Sequence, residues 1–233
     1  MENPTDIAAR HILALSTDRP LRIGVDGRSA AGKTMFADGL SERLRSTGRT
    51  VLRASIDDFH PPGHGSRSAG GGYTVESYYA EGYDYAAFRD QLLAPLDSGG
   101  DRLCRLGIHD SFSDTAIDHP AVAVPGDAIV VVDGCFLLRS ELRGFWEFVI
   151  WLDVSFETMI ERAARRDIAW MPSEEGVRAR YRDRWIPLHS LYEQRGARNY
   201  ADMIVDNEDV RAPRCVPAKR QIRRTTSGPL STR

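Results

Sequence analysis

The chain alternates short aliphatic and β-branched runs with longer segments in which apolar residues recur every three or four positions. Leu21-Arg22-Ile23-Gly24-Val25-Asp26 reads as a buried strand running into a glycine turn. After Lys33, Phe36, Leu40 and Leu44 fall at i, i+4 and i+8, which predicts an amphipathic helix stopping near Gly48. Thr50 to Ile56 predicts a second strand with Asp57 and Asp58 at its end. Ala128 to Asp133 is a β-branched run, as expected of a parallel strand covered on both faces. Phe148 to Val154 predicts a further strand, and Ser155 caps a helix carrying Phe156, Met159, Ile160 and Ala163 inward. Met203-Ile204-Val205 is a last short strand. Strands alternating with helices at these intervals predict one doubly wound α/β domain.

Elsewhere the pattern is weaker. Residues 1–19 predict a short amphipathic helical segment ahead of the main domain at 20–210. Residues 60–82 carry Pro61-Pro62-Gly63 and Gly70-Gly71-Gly72 and predict a long flexible loop on the substrate side. Asp84 to Ala94 predicts a helix ended by Pro95. Residues around His109-Asp110 and His119-Pro120 predict a small β insertion. From Arg211 to Arg233 there are seven basic residues, no acid and no period, which predicts a solvated, disordered tail at 211–233.

Composition sharpens this reading. The 233 residues carry 31 basic and 33 acidic side chains, and removing the tail leaves a body, residues 1–210, with a net charge of −9. Such a body disfavours non-specific nucleic-acid binding. No apolar run approaches 18 residues, so no membrane-spanning helix is expected. Met1-Glu2-Asn3-Pro4-Thr5-Asp6 lacks a basic n-region, so no secretory signal is expected. Three cysteines without C-x-x-C spacing fit a reducing, cytoplasmic setting. Lysine is scarce: Lys33 and Lys219 are the only two.

Lys33 falls inside Gly27-Arg28-Ser29-Ala30-Ala31-Gly32-Lys33-Thr34, which fits G-x-x-x-x-G-K-[ST] at every position. A strand precedes it and an amphipathic helix follows, the setting in which backbone N–H groups and the helix N-terminus cradle phosphates. The motif predicts nucleoside triphosphate binding by Gly27, Ser29, Ala30, Ala31, Gly32, Lys33 and Thr34. Lys33 supplies a point charge that an arginine fork does not replace well. The Thr34 hydroxyl is a Mg²⁺ ligand candidate, and Asp133, ending a β-branched strand, has the form of a Walker B carboxylate. Asp57, ending the second strand, is a candidate base for an acceptor hydroxyl. Arg162, Arg165 and Arg166 share one helical face. A polar segment follows (Pro172-Ser173-Glu174-Glu175-Gly176), so residues 162–176 suit an arginine-bearing lid. Tyr73, Tyr78, Tyr79 and Tyr83 fit either stacking on a base or packing in the core.

With these motifs the chain resembles the uridine kinase/phosphoribulokinase group of P-loop kinases over roughly residues 20–208. The resemblance rests on Gly27 to Thr34, Ile56-Asp57-Asp58-Phe59-His60, Tyr83-Asp84, Val132-Asp133-Gly134, Arg162 with Arg165-Arg166-Asp167, and Ala201-Asp202-Met203-Ile204-Val205. It implies a three-layer α/β/α P-loop NTPase fold with a mainly five-stranded parallel sheet, a small β insertion and a lid. It also implies ATP and Mg²⁺ as cofactors and transfer of the γ-phosphoryl group to a small-molecule hydroxyl, foremost the 5′-hydroxyl of a ribonucleoside. In that scheme Asp57, Lys33, Arg162 and Arg166 are catalytic, and Thr34, Asp133 and Asp57 surround the metal. Asp57, Phe59, Asp84 and His109 line the acceptor side. The family's usual Glu-Gly is Asp133-Gly134 here, and its base-recognition stretch has no clean counterpart near Gly107-Ile108-His109. Other alcohols (nicotinamide riboside, pantothenate, a sugar phosphate) and a non-metabolic nucleotide switch are the alternatives. A switch reading lacks an Asn-Lys-x-Asp guanine motif. The expected partner is a small molecule, with homo-oligomerisation left open.

Overall fold

The computed structural model describes residues 2–110 and 113–217. In chain order its elements are α1 (Pro4–Leu13), β1 (Leu21–Gly27), α2 (Lys33–Arg45), β2 (Val51–Ser55), α3 (His64–Ala69), α4 (Val75–Glu81) and α5 (Tyr85–Phe88). Four two-residue strands follow: β3 (Leu103–Cys104), β4 (His109–Asp110), β5 (Thr115–Ala116) and β6 (Val122–Ala123). The chain then forms β7 (Ile129–Asp133), β8 (Phe148–Asp153), α6 (Phe156–Asp167), α7 (Glu174–Arg180), α8 (Ile186–Gln194), β9 (Met203–Asp206) and β10 (Arg214–Val216). No helix among the described residues is long and apolar enough to cross a membrane.

The central sheet has the order β10-β9-β8-β1-β7-β2. Its first five strands in sequence are mutually parallel, and only β10 runs antiparallel, against β9. Side chains alternate along the strands between two cores. Val130, Val132, Val149 and Trp151 face one layer, while Ile129, Val131, Ile150 and Leu152 face the other. Both faces are therefore dry, which is why β7 reads as an unbroken apolar run rather than an alternating one. The helices α1, α2 and α6 cover one face. The segment from α4 through α5, together with α8, covers the other.

Two sequence expectations change. Residues 60–82 are not a loop: α3 and α4 occupy most of the span, and Thr74 with Ser77 forms a reciprocal capping box that starts α4. Tyr78 and Tyr79 on α4 are buried, so these helices are held by packing and caps too short to register as a period. The boundary at Arg211 also moves. Arg214 pairs with Asp206, Cys215 with Val205 and Val216 with Ile204, adding a sixth strand whose basic residue sits beside an acid. The rest of the expected tail, 218–233, lies outside the described residues.

Candidate active site

β1 ends at Gly27, where φ is +141° and a Cβ would lie 2.3 Å from the Leu152 carbonyl oxygen, so only glycine lets β1 turn this close to β8. The loop then closes on Gly32, the left-handed N-cap of α2, and Lys33 opens that helix. Buried Asp26 fixes the loop from beneath. One carboxylate oxygen accepts the Gly27 N–H at 2.7 Å, and the other accepts the Leu138 N–H at 3.1 Å and the Tyr192 hydroxyl at 2.5 Å. Burial pushes the Asp26 pKa up to about 6, although all three donors favour its charged form.

A cavity of about 540 Å³ opens above this loop, lined by Ser29, Ala30, Gly32, Lys33, Thr34 and Met35 at one side. The Lys33 ammonium donates to the Arg28 carbonyl at 2.8 Å and to Cys135 Sγ at 3.2 Å. Burial would lower its pKa, but Asp57, Asp26 and the hydrogen bond to Cys135 Sγ hold it above its ordinary value, so it is charged. Burial pushes the Cys135 thiol up instead, leaving it protonated. Asn207 Nδ2 donates to the Ala31 carbonyl at 2.7 Å, tying the loop to the segment after β9. His189 Nε2 accepts the Ser29 N–H at 3.0 Å, which puts the imidazole proton on Nδ1, a buried atom with no partner among the described residues. Burial holds His189 neutral.

The parallel register brings the two acidic strand ends to the same rim. Thr34 Oγ1 donates to Asp133 Oδ2 at 2.7 Å, and the Arg53 guanidinium holds the other oxygen at 2.9 Å. Across the cavity, the Tyr83 hydroxyl donates to Asp57 Oδ1 at 2.8 Å. Burial and Asp57 together raise the Tyr83 pKa far above its usual value, so the phenol remains a donor. His60 stacks between Tyr83 and His64, with ring centroids 4.3 and 3.7 Å apart. Burial keeps both histidines uncharged, His64 being pushed down to about 3. Arg162 and Arg166 reach the cavity from α6. Arg162 donates to the Asn207 and Glu208 carbonyls, and Arg166 is held by Asp167 and Tyr181.

The oxygen-only pair of Thr34 and Asp133 suits a hard cation such as Mg²⁺. Among the described residues no cluster of three or more His, Cys, Asp or Glu forms a metal cage, so such an ion would also need oxygens from a bound triphosphate.

Three residues expected on the acceptor side are used inside the fold instead. Phe59 is fully buried and packs edge-on against Phe88 at 5.1 Å. Asp84 accepts the Ala87 N–H at 2.8 Å as the N-cap of α5. His109 is buried and bonds Asp114 at 2.9 Å. None of the three lines the cavity, nor do Gly27 and Ala31, which shape the loop from within. Conversely, Cys135, His64, Ser68 and Arg180 line it without having stood out in the sequence, beside His60 and Tyr83 from the quoted motifs. Cys135 is one residue beyond the quoted Asp133-Gly134 and His60 closes the quoted Asp57-to-His60 stretch, so proximity to those motifs was the available signal.

No family model matches the chain. A phosphoribulokinase from Synechocystis is 29% identical over 153 residues, spanning 65% of this chain and 43% of that protein, so the match covers less than half of the relative's length. Among solved structures, one described as a possible uridine kinase from Bacillus stearothermophilus is 24% identical, with a TM-score of 0.65 over 86% of this chain and 96% of that one. A D-glycerate 3-kinase from Cryptococcus neoformans has a TM-score of 0.63 at 14% identity, over 93% of this chain and all of that one. These two show the fold to be that of P-loop kinases with an α/β layered sheet. The chain is thus similar in sequence to a phosphoribulokinase and in fold to these two kinases.

Proposed function

We propose that the protein is an ATP- and Mg²⁺-dependent kinase that transfers the γ-phosphoryl group to the hydroxyl of a small molecule. The observation that carries this is the placement of Lys33, Thr34, Asp133 and Asp57 around one cavity, with a carboxylate facing the phosphate loop across open space. Lys33 and the backbone N–H groups after Gly27 would hold the triphosphate, with Arg162 and Arg166 adding charge from α6. Mg²⁺, held by Thr34, Asp133 and the phosphates, would neutralise charge developing on the phosphoryl oxygens. Asp57, fixed by Tyr83, would accept the proton of the attacking hydroxyl. The new oxygen–phosphorus bond would form as the bond from the γ-phosphorus to the bridging oxygen breaks, releasing ADP.

The ribonucleoside acceptor implied by the resemblance draws less support, because Phe59 and His109 are buried and Asp84 caps α5, none of them lining the cavity. A nucleotide switch would have no use for a carboxylate held opposite the phosphate loop. ADP formation measured with ATP·Mg and a panel of alcohols tests the reading. Stimulation by one class of alcohol, with its phosphorylated product recovered, is the expected result. ADP formation that no alcohol stimulates would sink it. Asp57→Asn should lower turnover about 10²–10⁴-fold, the usual contribution of a general base, with ATP binding close to wild type.

A further inference from the structure

Several arginines of this protein are paired with carboxylates. Arg22 pairs with Glu147 and Asp97, Arg28 with Glu193, Arg53 with Asp38 and Asp133, Arg139 with Glu141, and Arg166 with Asp167. Three half-buried arginines beside the cavities have no such partner: Arg162 donates to the Asn207 and Glu208 carbonyls, and the other two meet at a neutral side chain. Arg180, at the end of α7, and Arg184, in the π-helical turn Tyr181–Trp185, have no carboxylate partner among the described residues. Both instead converge on one buried serine of α3. Arg180 donates to Ser68 Oγ at 2.9 Å, while Arg184 donates to Ser68 Oγ at 3.1 Å and to the Ser68 carbonyl at 2.9 Å. Holding two like charges against a neutral hydroxyl is unfavourable, and burial followed by Arg180 pushes the Arg184 pKa down. The geometry makes sense if a negative group completes it.

The position says where that group comes from. Ser68 and Arg180 line the Asp57 cavity and also a second, outer cavity of about 800 Å³, which no phosphate-loop residue lines. The outer cavity is closed by Tyr73, Trp170 and Met171, and its one lining carboxylate, exposed Asp183, pairs with neither arginine. The two cavities therefore run from the phosphate loop, past Asp57 and the His60–His64 stack, to the arginine pair. A triphosphate held by Lys33 and Thr34 would occupy one end. The other end is open to whatever presents its hydroxyl to Asp57.

We propose that the acceptor is an alcohol carrying its own anionic group, a phosphate or a carboxylate, and that Arg180 and Arg184 with Ser68 bind that group. This rests on the reading that Asp57 receives the acceptor hydroxyl. Guanidinium pairs favour both oxyanions by charge-assisted hydrogen bonds, each far stronger than one to a neutral hydroxyl.

The test uses alcohols that differ in the anion alone: glycerol, D-glycerate and glycerol 3-phosphate; ribose and ribose 5-phosphate; and uridine as a neutral nucleoside. At least one anionic member should be phosphorylated with kcat/KM about 30-fold or more above its neutral match, the worth of roughly 2 kcal/mol from charged hydrogen bonds. Whether a carboxylate or a phosphate is preferred follows from the glycerol series. Arg180→Gln and Arg184→Gln should raise KM for that acceptor about tenfold or more and leave KM for ATP within about twofold, and Arg180→Lys should recover part of the loss. Equal use of neutral alcohols would overturn the inference while the kinase reading stands. A rise in KM for ATP instead would give Arg180 to the triphosphate and also overturn it. Should no alcohol be phosphorylated, the kinase reading falls, and the anion site is decided by calorimetry. Titrating D-glycerate, glycerol 3-phosphate and inorganic phosphate into protein loaded with a non-hydrolysable ATP analogue should show binding that Arg180→Gln removes. No such binding would overturn the site as well.

Discussion

Lys33 and Tyr83 show how single side chains set this site. Lys33 sits almost sealed, with its ammonium between the Arg28 carbonyl and the Cys135 thiol. A guanidinium is wider, planar and weakly hydrated, and would have to displace one of those neighbours. Lys33→Arg is therefore expected to cost most of the ATP affinity despite keeping the charge, measurable by nucleotide titration of the purified variant. Tyr83 contributes one hydrogen bond to Asp57 from a fully buried ring. Tyr83→Phe keeps the ring stacked on His60 and loses that bond alone. Turnover should fall about tenfold, the equivalent of roughly 1.4 kcal/mol, with little change in thermal midpoint. An unchanged rate would mean that Asp57 does not depend on the phenol for its position.

Among the elements, α4 is the most instructive. It has seven residues, too few to be stable alone, and survives because Thr74 and Ser77 satisfy its first N–H groups while Tyr78 and Tyr79 pack beneath it. Thr74→Ala should lower stability by about 1 kcal/mol, a thermal shift of about 2–4 °C. The inner strands β7 and β8 were legible in sequence because they bury both faces and so show a nearly unbroken apolar run, whereas edge strand β2 is only partly buried and carries Arg53 and Ser55. The phosphate loop was legible because its chemistry demands fixed spacing. The elements α3 and α4 were not, since six- and seven-residue helices complete too few turns to display a period against a background of glycine and proline. The proposed acceptor side was the least legible. Ser68 on α3 lies 112 and 116 positions from Arg180 at the end of α7 and Arg184 in the turn after it, and nothing local distinguishes these two from other arginines on a solvated helix.

For the whole molecule, Asp26 is the joint between sheet and helices, linking β1, the segment after β7 and α8 through a single carboxylate. Its pKa is raised to about 6 from 3.8, so between these values the folded state binds the proton more readily than the unfolded chain. The contribution of this group to stability is thus greatest below about pH 4, declines as pH rises, and levels off above about pH 6. Asp26→Asn removes that slope and also points an amide NH₂ at the Leu138 N–H or the Tyr192 hydroxyl. It should destabilise the protein by about 2–4 kcal/mol at pH 7, with a smaller pH dependence between 4 and 6 in denaturant titrations.

The thiol lodged against the phosphate lysine has a practical corollary. Cys135 is a wall of the phosphate-loop cavity, whereas Cys215 lies exposed on β10 and Cys104 is sealed in the core. A small alkylating reagent thus meets three cysteines graded by access, and only Cys135 faces the proposed nucleotide site. ATP should slow labelling of Cys135 and leave Cys215 labelling unchanged, as peptide mass spectrometry over time would show. The chain carries its own occupancy gauge, readable without an activity assay.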